Sequence, residues 1–434
     1  MNKEILRLAI PNIVSNISVP LLSTVDVALM GQLSPVYLGA VGLGSMVFNF
    51  IYWNFGFLRM GTTGMVSQAF GARREAEMMR VLILGLGMAL VIAAIIMMVS
   101  VSLFDLFFLL LDVPVSHREP LLAYCNIRIW AAPATLSIYV LIGWLFGRQN
   151  SLAPLVITIL VNLVNILLSY ILVYHYHMAI QGVAWGTTIA QYVGLISLLA
   201  YFGLRYRDCL SLNKGTLMWS AKDLKMFLAI NRDLFIRTFC LTLSFVYLYR
   251  VSSQGGDIFL AINVIILQLL NWVSFGIDGF AYACESIVGK YVGLRDKKQV
   301  HRAVHFCFKW AFGLALFYSL AYSLCLGPIA ALFTDDILVL DGVMEMFWVI
   351  VMLPLFSFSC YIWDGIYIGL LQSKYMRDSM IVSLIFFVGC HFLSQKLGHD
   401  LLWVSFLAFL LIRAILQYYY WLSKLRFTDI KKSL

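Results

Sequence analysis

The chain is 434 residues long, 62% of them hydrophobic and 12% charged, with a formal net charge of +9 from 31 basic and 22 acidic side chains. An ordinary soluble domain is about half apolar and about a quarter charged, so this composition excludes a soluble protein. Roughly 270 apolar residues are enough for about twelve bilayer-crossing helices of about 20 residues each, and 53 charged residues leave no basic tail or acidic run suited to nucleic acid.

From the N-terminus, Met1-Asn2-Lys3-Glu4 leads into an apolar stretch that has no small-residue cleavage site, which argues against a removable signal peptide. Apolar stretches lie at roughly 5–31, 38–67, 81–104, 121–146, 152–174, 181–203, 230–252, 259–289, 304–333, 343–370, 380–395 and 401–423, and predict twelve spans. With residue 1 inside, 23 Lys and Arg residues fall in inner segments and two, Arg118 and Lys396, in outer ones. Positive charge accumulates on the cytoplasmic side. A multi-pass protein of the plasma (inner) membrane with both termini cytoplasmic is therefore expected.

The first span holds Asp26, the one acidic residue within the first six spans as drawn. An ionisable group inside a membrane is costly, which makes it a functional candidate. Asp26 lies about six residues, or about 9 Å of helix, from the outer end of its span. In the fifth span Asn162, Asn165 and Ser169 stand at i, i+3 and i+7 on one helix face, and Thr187 of the sixth reaches a similar depth. Together these groups suit a proton or a small hard cation, although Asn and Ser also serve simply to join helices. Pro11 and Pro20 each delete a backbone donor from the first span and predict a kinked, hinge-like helix.

The one long inner connection, about 204–229, carries five basic residues near the middle of the chain. It divides the chain into an N-lobe (1–203), a cytoplasmic linker (204–229) and a C-lobe (230–434). A shift of 222 residues superposes Asn49 on Asn271, Val66 on Val288, Gly71 on Gly293, Arg73 on Arg295 and Arg80 on Arg302; further on, Pro133 meets Pro354 at 221 and Gln149 meets Gln372 at 223. Six spans per half give both halves the same orientation, the parallel-repeat plan of many secondary transporters. The fold expected is thus all-α and integral to the membrane, with twelve transmembrane helices in two six-helix lobes.

The second lobe places charge differently. Asp26 maps onto Leu248, while Arg237, Asp278, Glu285 and Asp364 are intramembrane charges of the C-lobe. Arg237, Glu285 and Asp364 lie at similar depth and suit an ion-paired cluster, read either as a structural network or as a second coupling site. Arg59, Lys309 and Arg250 stand within snorkelling reach of an interface and read as anchors. No P-loop, His-Glu-x-x-His or Gly-x-Ser-x-Gly occurs, so neither ATP-driven pumping nor an enzyme is expected. The eight cysteines show no Cys-x-x-Cys pair and read as free thiols. His175 and His177 read as interfacial decoration, and no metal site or cofactor is expected.

Several stretches resemble one family: Ala-Ile-Pro11 followed by Asp26, Gly61-Thr-Thr-Gly-Met-Val-Ser-Gln-Ala-Phe-Gly71-Ala, Ile127-Arg-Ile-Trp-Ala-Ala-Pro133, Asn231-Arg-Asp-Leu-Phe-Ile-Arg237, Asp278-Gly-Phe-Ala-Tyr-Ala-Cys-Glu285 and Trp363-Asp-Gly365. They look like the multidrug and toxic compound extrusion (MATE) transporters of the DNA-damage-inducible protein F branch, over nearly the whole chain. The resemblance implies efflux of amphipathic, often cationic, small molecules in exchange for protons or sodium. It also implies that Asp26 is the coupling carboxylate and that the family's N-lobe cation site maps onto Asn165 and Thr187. Ser169 departs from relatives that carry a second aspartate there, which favours the proton over sodium as the coupling ion. A monomer in the lipid bilayer is expected. The rival reading is a flippase for lipids or lipid-linked sugars, against which Arg128, Arg237 and Arg250 are few and scattered.

Overall fold

The computed structural model describes residues 1–31, 35–110, 113–207, 221–396 and 401–423, with side chains for all of these except 19–31, 35, 110 and 222. Among the described residues there are sixteen α-helices. They are α1 (Asn2–Gly31), α2 (Pro35–Asn54), α3 (Phe57–Gly71), α4 (Glu75–Met98), α5 (Ser100–Leu110), α6 (Val115–Arg128), α7 (Ala132–Gly147), α8 (Leu152–Tyr170) and α9 (Ala179–Arg205), then α10 (Ala221–Gln254), α11 (Asp257–Gly293), α12 (Lys297–Ala330), α13 (Ile337–Glu345), α14 (Phe347–Gly369), α15 (Ser373–Lys396) and α16 (Leu402–Ser423). In a bilayer every backbone polar group must be satisfied within the protein, which a helix does by itself.

Eleven stretches among the described residues are long and apolar enough to cross a membrane, and they coincide with the second to twelfth predicted spans. The first predicted span is the 30-residue α1, helical without a break through Pro11 and Pro20. The seventh span lies in α10, which begins at Ala221, earlier than hydropathy alone suggests, because the charged Asp223 and Lys225 extend the helix ahead of the apolar core.

The chain forms two compact units, Val14–Phe227 and Leu228–Leu434 together with Met1–Ile13. The start of α1 thus clusters with the C-terminal unit. There Lys290 Nζ meets Glu4 Oε1 at 2.6 Å, the Tyr291 hydroxyl donates to Glu4 Oε2 at 3.0 Å, and Trp310 Nε1 donates to Asn2 Oδ1 at 3.2 Å. In the N-terminal unit α7 packs on α3, α4 and α9. Its Trp144 is fully buried, donates from Nε1 to the carbonyl of Met78 at 3.0 Å, and lies 4.7 Å from the Phe202 ring. In the C-terminal unit α14 takes the equivalent place, packed on α11, α12 and α16.

The repeat extends to rare backbone conformations. Arg73 and Arg295 have φ of 59° and 58°, and Gln149 and Leu371 have φ of 62° and 56°. Each ends its helix in a left-handed turn, closed by Arg74 N–H to Ala69 O in one half and Asp296 N–H to Tyr291 O in the other. Gln149 therefore corresponds to Leu371, and the shift of 222 holds at this turn; matching Gln149 to Gln372 by residue identity is off by one. The same shift relates two close approaches of backbones. A Cβ on Gly143 would stand 2.5 Å from the carbonyl oxygen of Arg59, and one on Gly365 would strike that of Ala281. Gly365, beside Asp364, thus serves the packing of α14 on α11.

Candidate functional site

In the N-terminal unit, α8 and α9 are close-packed neighbours. Thr158, Asn162, Asn165 and Ser169 lie along one face of α8, spaced i, i+4, i+7 and i+11. Asn165 and Ser169 are fully buried, and Thr187 of α9 is 5% exposed. Asn165 Nδ2 donates to Thr187 Oγ1 at 2.8 Å, and the Thr187 hydroxyl donates back to the carbonyl of Val183 at 2.9 Å. The structure thus brings Asn165 and Thr187 together. Among the described side chains Asn165 Oδ1 and Ser169 Oγ have no hydrogen-bond partner, although each is buried. Leaving a buried polar atom unpaired costs about 1–3 kcal/mol, so two such oxygens on one helix face call for an explanation. One turn further, at Ile171–His175, α8 widens into a π-helical turn, a feature frequent at functional sites.

Asn162 does something else. Its Nδ2 donates to the carbonyl of Ser18 in α1 at 3.2 Å, and Ser15 Oγ donates to Thr158 Oγ1 at 3.2 Å. These bonds join α8 to α1 rather than to α9. Pro11 is buried within the segment that clusters with the C-terminal unit, and the side chains of Pro20 and Asp26 lie outside the described residues.

Gly186 is what lets α8 and α9 approach. A Cβ there would meet Ser169 Oγ at 2.5 Å, its backbone N at 2.8 Å and its Cα at 3.0 Å. Backbone atoms cannot swing aside, so Gly186→Ala is expected to force the helices apart and stretch the Asn165–Thr187 bond. The expected loss is about 1–3 kcal/mol of stability, read as a lower melting temperature of the purified protein.

The C-terminal unit holds a buried charge network. Asp364 Oδ2 accepts from Arg237 and from Arg413, and Gln417 Nε2 donates to Asp364 Oδ1 at 2.8 Å. Side-chain exposure is 1% at Arg413, 7% at Arg237 and 9% at Asp364. Asp278 is half-buried and near enough to Arg413 for a weak electrostatic interaction, smaller than that of Asp364. Glu285 is buried two turns along α11 from Asp278. Of the four charges named from sequence, Arg237 and Asp364 are ion-paired. Arg413 and Gln417 are the members that sequence reasoning missed, and their signal was an i, i+4 polar pair in an otherwise apolar final span. The same Asn231-to-Arg237 stretch also supplies Asp233, which is buried and pairs with Arg377 of α15 at 2.7 Å.

Arg59 and Arg128 sit against aromatic faces, Arg128 Cζ lying 5.4 Å from the Phe48 ring centre and 5.8 Å from that of Tyr52, and Arg59 Cζ 5.9 Å from that of Phe146. Lys309 and Arg250 are exposed. His175 and His177 are exposed as well, and no group of three or more metal-ligating side chains occurs among the described residues.

A multi-pass helical protein in two repeated halves, with buried polar clusters inside its units, is the architecture of a membrane transporter. The family profile described as MatE matches this chain twice, at residues 11–171 and at 234–395, once in each half. The chain belongs to the MatE family, the MATE transporters. It is 34% identical to DNA damage-inducible protein F of Escherichia coli (strain K12), over 95% of this chain and 90% of that protein. It is 23% identical to the probable multidrug resistance protein NorM of Thermotoga maritima, over 69% of this chain and 65% of that one. Among solved structures, an outward-facing multidrug resistance MATE transporter of the MOP superfamily superposes with a TM-score of 0.89 at 21% identity, covering 99% of this chain and 96% of that one. A MOP superfamily transporter from Pyrococcus furiosus also gives 0.89 at 21% identity, with the same coverage. At that identity the likeness concerns the fold.

Proposed function

We propose that this protein is a secondary antiporter that expels amphipathic, often cationic, small molecules in exchange for protons by alternating access. Asp26 is the exchanging acid, Asn165, Ser169 and Thr187 form its polar shell, and α1 with Pro11 and Pro20 is the moving element. The observation that carries this reading is the pair of buried oxygens, Asn165 Oδ1 and Ser169 Oγ, that find no partner among the described side chains and lie on the face of α8 that also bonds to α1. Helices that run side by side in the same direction keep register, since both rise about 1.5 Å per residue. The offsets of 143 and 144 that pair Ser15 with Thr158 and Ser18 with Asn162, carried on unchanged along α1, would bring residue 26 level with residues 169 and 170, which supports the reading. A carboxyl at that level would find acceptors for its proton.

Sodium needs several oxygens and gains most from formal negative charge, as calcium sites do. One carboxylate among neutral Asn165, Ser169 and Thr187 is cancelled by a single proton with no coordination geometry. Efflux from vesicles is therefore expected under a proton gradient alone and absent under a sodium gradient alone with pH equal on both sides. Ser169→Asp adds the second charge and is expected to introduce sodium dependence. Robust wild-type efflux under sodium alone would overturn the choice of ion. No transport of any substrate in a panel of amphipaths, under either gradient, would overturn the antiporter.

The 23-to-2 basic asymmetry supports cytoplasmic termini in the inner membrane. On a cysteine-free background, a single cysteine at position 336 is expected to react with an impermeant thiol reagent in intact cells, and one at position 215 is not. The reverse pattern would invert the topology.

A further inference from the structure

In the C-terminal unit α12 and α16 each pack on α14, and between them runs a groove of about 710 Å³. Its floor is α14, from Leu355 to Trp363, and its walls include His301, Phe308, Ile415 and Trp421. One end is an aromatic cluster, with Trp363 centred 5.1 Å from Phe308, 6.0 Å from Tyr418 and 5.7 Å from Trp421. His301 lies edge-on to Trp421 at 5.6 Å. This end sits at the helix termini, since α12 starts at Lys297 and α16 ends at Ser423.

The groove is long, apolar and open on one side, and its mouth is basic. From Leu411 to Trp421 the helix rises by about ten residue steps, or about 15 Å, which is about half the hydrocarbon thickness of a bilayer. Ile415 and Tyr418 on its flank are 55% and 52% exposed. At the mouth Lys298, His301, Arg302 and His305 are all exposed on the first three turns of α12. Lys298, His301 and His305 follow at i, i+3 and i+7 and so share the face that opens the groove. The one carboxylate close by in sequence, that of Asp296, caps α12 by accepting from Gln299 N–H at 3.1 Å.

We propose that this groove binds one anionic phospholipid, with an acyl chain along α14 and the phosphate at the Lys298–His301–His305 ladder. Amphipathic aromatic side chains at the depth of the headgroups and basic residues beyond them are the physical requirements of such a site. A zwitterionic lipid would fill the groove equally well and bring the same phosphate, but its choline cation would be repelled by the basic mouth, so it would gain less from the ladder, and a cationic amphipath would be repelled outright. The proposal stands apart from the transport reading, because it concerns the C-terminal unit alone and is read by binding.

The test is native mass spectrometry of the full-length protein, in detergent with equal amounts of phosphatidylglycerol and phosphatidylcholine. One phosphatidylglycerol is expected to be retained with about a fivefold preference. The triple variant Lys298→Gln, His301→Gln, His305→Gln changes exposed side chains only and is expected to bring that ratio to about one while lipid is still retained. Ala414→Trp, which fills the groove, is expected to lose the bound lipid, and should it fail to fold, the triple variant decides. Equal retention of the two lipids by the wild type, a preference that survives the triple variant, or displacement of the lipid by a stoichiometric cationic drug would each overturn the proposal.

Discussion

Asp26→Asn is expected to leave the protein folded and inserted in the membrane while abolishing gradient-driven efflux. An amide copies the shape of the carboxyl and some of its hydrogen bonding, but it cannot bind and release a proton near neutral pH. In the proposed mechanism the exchange of that proton is the only link between the gradient and the substrate, so coupled transport should fall to background. Two controls separate coupling from folding. Expression and melting temperature of the variant should match the wild type, and equilibrium substrate binding should persist. Undiminished efflux by a normally expressed Asp26→Asn protein would remove this residue from the mechanism. The Asn165–Thr187 hydrogen bond would then be helix packing, of which model systems place the value at about 1 kcal/mol.

Asp364→Ala is expected to lose about 3–5 kcal/mol of stability, because removing one partner of a buried ion pair leaves an uncompensated charge. Here it leaves two, since Arg237 and Arg413 both donate to that carboxylate. Asp364→Asn should lose less, as the amide oxygen still accepts from Gln417, whose Nε2 lies 2.8 Å from Asp364 Oδ1. Chemical or thermal unfolding of the purified protein reads both effects. Replacing Arg413 by Met together with Asp364→Ala should recover part of the loss, because a packed apolar pair is often as stable as a buried ionic one. The same variants separate a structural network from a second coupling site. Folded Asp364→Asn protein is expected to retain proton-coupled efflux, and a loss of coupling without a loss of stability would make Asp364 a coupling carboxylate.

The number of spans, the internal repeat and the kinship with MATE transporters were legible in the residues alone. Hydropathy along a chain is a one-dimensional quantity, and a bilayer reads it in one dimension, so eleven apolar helices stand where the sequence places them. The repeat was legible for a different reason, because Gly71 and Arg73 in one half and Gly293 and Arg295 in the other end their helices in the same left-handed turn, with φ of 59° and 58° at the arginines, whereas the matching backbone approaches at Gly143 and Gly365 emerged only from packing. Roles that depend on the rotation of one helix against another were not legible. Asn162 and Asn165 share a face of α8, yet one bonds to α1 and the other to α9, because three residues at about 100° each leave them about 60° apart around the helix axis, enough to meet different neighbours. Nor could spacing reveal that Asp364 takes its partners from Arg413 and Gln417, 49 and 53 residues further on, or that residues 1–13 cluster with the C-terminal unit. Length and composition determined that this chain lives in a membrane and how often it crosses. Which polar groups meet there was decided by tertiary packing alone, since a buried charge takes whichever partner the fold brings within hydrogen-bond reach.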